Sequence, residues 1–80
     1  MLSLTAKTKN KPEVVVKKAV EFFGGYGLKV KEQGEDGVSF EGGGGYININ
    51  ASVEGKLTTV DFETREWEEP VREFARTIKA

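Results

Sequence analysis

Asp61 and Glu63 stand two residues apart in an alternating polar and apolar segment, Val60-Asp61-Phe62-Glu63. Read as a strand, that spacing projects both carboxylates from one face of a sheet, where a pair can act as general acid and base or hold a hard cation. A second acidic group, Glu32, Glu35 and Asp36, surrounds a glycine turn but lacks the ordered run of oxygen ligands that a calcium loop needs. The rest of the chain gives these carboxylates little help. Its 80 residues include no histidine and no cysteine, so the imidazole base, the thiol nucleophile and the usual zinc and copper ligands are all missing. A carboxylate pair with no pocket motif beside it reads as a solvated strand face, whose charge also discourages edge-to-edge aggregation. The expectation is a protein that is not an enzyme, with no catalytic residues, no metal ligands and no cofactor.

The run Gly42-Gly43-Gly44-Gly45 is the oddest local feature. Glycine is costly inside a strand, and four in succession leave the pairing register poorly fixed. The run leads into a strand rather than a helix N-terminus, which separates it from phosphate-binding loops. One reading is a flexible or bulged hairpin connection. The other is bare backbone that a partner approaches closely, flanked by the aromatic ring of Tyr46. Asn48 and Asn50 follow on the same face as Tyr46, and Asp61 and Glu63 extend the polar row. The expected partner-binding set is therefore Gly42, Gly43, Gly44, Gly45 and Tyr46, then Asn48, Asn50, Asp61 and Glu63.

The elements that position these residues follow from periodicity. Leu2, Leu4 and Ala6 alternate with Ser3, Thr5 and Lys7, the pattern of a half-buried strand over about residues 2 to 8. Asn10 offers a helix cap and Pro12 sits in the first turn, where its missing N–H costs nothing. A helix from about Lys11 to Phe23 then buries Val15, Val16, Ala19, Val20, Phe22 and Phe23, with Val14 left among the lysines on the wet side. Gly24 and Gly25 end it by supplying a left-handed cap. Four strands follow. Leu28 and Val30 face Val38 and Phe40 across the turn Gly34-Glu35-Asp36-Gly37; Ile47, Ile49, Ala51 and Val53 form the cleanest alternation; Glu54-Gly55-Lys56 turns into a last strand with Val60 and Phe62 inward. A closing helix begins near Trp67 and carries Val71, Phe74, Ala75 and Ile78 in one stripe, because an earlier start would place Pro70 in the interior.

The order is β-α-β-β-β-β-α. Every strand has one apolar and one polar face, so the fold class is α+β, a two-layer sandwich: a five-stranded, mainly antiparallel sheet with both helices on one face and water on the other. Residues 1–80 form one domain, held by packing alone in the absence of disulfides. Strand order is compatible with a meander or with one strand crossing over.

This element order resembles a reduced version of the helix-grip ligand-binding folds, a likeness of order alone. The resemblance transfers no site; a pocket for a small molecule, if the fold forms one, would lie between the last helix and the concave sheet, lined by Phe40, Phe62, Trp67 and Phe74. The plainer reading has these aromatics filling the core, with Trp67 half exposed as an interface anchor. A third possibility comes from charge. Residues 1 to 31 carry seven lysines against two glutamates, and residues 32 to 80 carry five basic groups against eleven acidic ones. Lys7, Lys9, Lys11, Lys17 and Lys18 are the candidates for a nucleic-acid patch, but an open face with one aromatic and two carboxylates argues against that partner. The longest apolar run is Val14 to Val16, too short for a membrane span, so no membrane partner is expected and the default location is cytoplasmic. The reading favoured over the ligand and nucleic-acid alternatives is a small non-catalytic binding or interaction module whose partner is protein, including another copy of itself.

Overall fold

The computed structural model describes all 80 residues. Its elements are β1 (Leu2–Thr8), α1 (Pro12–Gly24), β2 (Lys29–Gln33), β3 (Gly37–Gly42), β4 (Gly45–Glu54), β5 (Leu57–Arg65) and α2 (Glu68–Ile78). The sheet runs β1-β5-β4-β3-β2 and every adjacent pair is antiparallel. β2 to β5 are thus a meander, and β1 completes the sheet beyond β5. Reaching β2 from β1 takes the chain across the whole sheet, and α1 makes that crossing.

Alternation decides which face each strand buries. Leu4, Phe62, Ile49 and Val38 pair in one row, and Ala6, Val60 and Ala51 in the next. Phe62, Ile49, Val38, Val60 and Ala51 belong to a single core of 16 buried residues that also takes in Val15, Val16, Ala19 and Phe23 of α1 and Val71, Phe74, Ala75 and Ile78 of α2, and the partly buried Leu4 and Ala6 pack against it. Both helices therefore lie on one face. Aromatic rings join the layers: the Phe74 ring lies 5.4 Å from Phe22, 5.3 Å from Phe23 and 6.0 Å from Phe62, and Phe23 lies 5.3 Å from Phe40. Burial of an aromatic side chain in such a cluster is among the larger single contributions to stability.

Local details differ from expectation in three places. Asn10 does not cap α1. Its backbone N–H and its Nδ2 both donate to the buried Thr8 Oγ1, at 3.1 and 3.0 Å, and the extended residue before the helix is Lys11, with no side-chain cap. Gly25 keeps a right-handed φ of −65°, and Gly27, at +82°, supplies the left-handed turn instead. Helical bonding continues past Gly24, with Tyr26 N–H on Phe23 O and Gly27 N–H on Gly24 O, so the reversal waits two residues longer. Val30 and Val53 pair with buried-face positions but are 42% and 64% exposed. Val14, expected in water, is half-buried.

Candidate functional site

The helix-free face is built by register. Glu63 pairs with Asn48 and with Ser3, and Asn48 pairs with Ser39, making one transverse row from β1 to β3. Asp61 pairs with Asn50 and Thr5 in the adjacent row. Tyr46 pairs with Arg65 and Glu41 in the row on the other side. The five polar residues expected from the sequence therefore stand on one continuous surface, in rows spaced by about 7 Å along the strands. Two shallow recesses share that surface. One is lined by Ser3, Thr5, Glu32, Ser39, Asn50 and Asp61, the other by Lys31, Glu41, Tyr46 and Arg65, and both include Asn48 and Glu63.

Both carboxylates already hold a donor. The Thr5 hydroxyl donates to Asp61 Oδ1 at 2.9 Å, and Asn48 Nδ2 donates to Glu63 Oε1 at 3.3 Å. Nowhere in the molecule do three or more acidic side chains gather as a metal ion would require. What this surface offers is hydrogen bonding: amide and hydroxyl groups of both polarities around two oriented carboxylates, with one phenol at the edge.

The glycine run sits at one end of this face, and folding accounts for three of its four members. Gly42 and Gly45 pair as the last rung of the β3–β4 hairpin. Gly43 and Gly44 form the loop with φ of +57° and +79°, the two positive values that a type I′ turn requires. This is a tight hairpin, with neither slack nor a bulge. A Cβ on Gly43 would lie 2.8 Å from Trp67 Cζ2, and one on Gly45 would collide with the Arg65 carbonyl oxygen. Trp67 seals the contact by donating its indole N–H to Gly42 O at 2.9 Å, while its ring meets Tyr26 edge-on at 6.0 Å. The bare backbone is approached by the protein's own tryptophan.

The four aromatics of the ligand alternative do not line a common cavity. Phe40, Phe62 and Phe74 are at most 2% exposed and occupy the core, and Trp67 packs against the glycine hairpin. Two of the five lysines, Lys7 and Lys18, border different recesses. Lys7 lines a groove beside α2, whereas Lys18 lines a separate depression with Glu21 and Phe22.

That groove beside α2 holds residues the sequence reading passed over. Arg72, Arg76 and Lys79 lie along it with Lys7. Their spacing of i, i+4 and i+7 puts them on one flank of a helix, a signal available in the sequence but masked by the neighbouring glutamates. No protein-family model matches the chain, and no curated protein sequence matches it.

Proposed function

We propose that the protein is a non-catalytic binding module that holds a protein partner, a second copy of the chain included, on its helix-free sheet face. The observation that carries this reading is the placement of Tyr46, Asn48, Asn50, Asp61 and Glu63 in three successive rows of a surface that no element of the fold covers. Donors and acceptors on a rigid sheet are positioned before the partner arrives, so little ordering entropy is lost on binding. The absence of imidazole and thiol groups and the separate hydrogen bonds of the two carboxylates support a binding role over acid–base chemistry.

The test is the mass of the natively purified particle. Native mass spectrometry is expected to show a species heavier than the 8.8 kDa chain, and the exposed substitution Asn50→Arg should return it to the single-chain mass without changing the circular dichroism spectrum. A wild-type particle of single-chain mass with nothing attached would refute the reading.

A further inference from the structure

β1 is an edge strand, paired with β5 on one side and with no strand on the other. The Ala80 N–H donates to the Lys7 carbonyl at 2.8 Å, which shows that Lys7 turns its backbone groups away from β5. In an antiparallel pair that direction alternates, so Thr5 and Ser3 turn their N–H and C=O outward as well. Between this edge and α2 runs an open groove. Leu4, Ala6 and Ala75 give it an apolar floor, and Lys7, Arg72, Arg76 and Lys79 stand around it. No aspartate or glutamate side chain lines it, in a chain whose net charge is −1. Glu69 engages Arg72 from the helix surface at 2.9 Å, while Lys7, Arg76 and Lys79 have no ion-pair partner.

We infer that the outer edge of β1 binds an extended acidic peptide as a sixth strand, with its alternate carboxylates directed at Arg76 and Lys79. Two independent features point to this occupant. The outward groups of Ser3 and Thr5 supply the main-chain ladder that strand addition uses, and Ala80 already makes the first such bond. The one-signed charge beside the ladder selects acidic side chains, because a strand projects every second residue to the same side and so into the groove. A nucleic acid fits less well: outward carbonyls would oppose its phosphates, and the groove has no aromatic ring on which a base could stack. The groove opens on the helix side of β1, while Ser3 and Thr5 also border the helix-free face; the inference does not rest on that face binding a partner.

The experiment is a nuclear magnetic resonance titration of the isotope-labelled protein with a short capped peptide alternating glutamate and valine. Shifts and slowed amide exchange are expected to concentrate at Ser3 and Thr5. The double substitution R76Q/K79Q should weaken binding by about fivefold or more, and added salt should weaken it further. Thr5→Pro should also weaken it while leaving the fold intact, since an edge strand tolerates proline where the N–H faces outward. A peptide with lysine in place of glutamate should not bind, and Y46A/N50R should leave binding unchanged. The inference is overturned by absent shifts at Ser3 and Thr5, by equal binding of the lysine peptide, by loss of binding in Y46A/N50R, or by a single-stranded oligonucleotide that displaces the peptide.

Discussion

Gly43 and Gly44 adopt similar backbone conformations but have different neighbours, so one substitution at each separates two effects. Gly44→Ala meets no atom within 4 Å and should cost only the left-handed strain, about 1 to 2 kcal/mol. Gly43→Ala adds the collision with Trp67 and should cost clearly more, and urea unfolding of the two variants measures the difference. Thr59 offers the opposite case. Its hydroxyl is buried without a partner in the protein, so Thr59→Val is expected to be neutral or to stabilise by up to about 1 kcal/mol in the same assay. Glu68 links residue chemistry to pH. Its carboxyl is held below the usual glutamate range chiefly by its own backbone N–H, which outweighs the next-largest influence, an opposing desolvation, with the Glu66 N–H, the N-terminal amine and Arg72 adding to the lowering. A depressed folded pKa gives stability that is present above the unfolded value and lost as pH falls through the folded one. The stability difference between wild type and Glu68→Gln should therefore be present at neutral pH and vanish under acid conditions. The chemistry of the glycine run was only half legible from sequence. Positive φ is a property of the turn itself, but the tryptophan that rests on it lies 25 residues away, and no local pattern announces that pairing.

At the scale of elements, legibility followed the strength of the period. β1 and α2 were readable almost to the residue because each has an unbroken alternation or stripe. Periodicity names a face, however, and does not say whether anything covers it. Val30 and Val53 carry the right spacing and still meet water. Asn10 failed as a cap for a related reason, since Thr8 offered its side chain a better-placed acceptor. The polar surface rows were legible as a face but not as a site, because the register that sets Asn48 beside Glu63 belongs to two strands at once. β2 shows the consequence of thin cover. All five of its residues are exposed, and a bulge between Val30 and Glu32 interrupts its pairing. Its amides are expected to exchange with deuterium earliest in the sheet, and those of β4 and β5 last. Equal protection across the five strands would contradict that order.

For the whole molecule, the core is one cluster and the two layers have no second set of contacts to fall back on. Phe74 joins α2 to α1 and to β5, so Phe74→Ala should cost about 3 to 5 kcal/mol. A chain of this length has roughly 4 to 12 kcal/mol in total. The expected outcome is a single cooperative melt shifted down by about 15 °C or more, seen by circular dichroism. Strand order was the global property least visible in the sequence, because β1 finds its partner fifty or more positions downstream, Leu2 opposite Thr64 and Thr8 opposite Thr58.

That pairing sets a timetable for synthesis. The first strand leaves the ribosome long before its only neighbour exists, and the helix behind it emerges with half its greasy side bare. A nascent chain halted after the fourth strand would keep both segments loose and open to chaperones, and tertiary order would arrive in one late event.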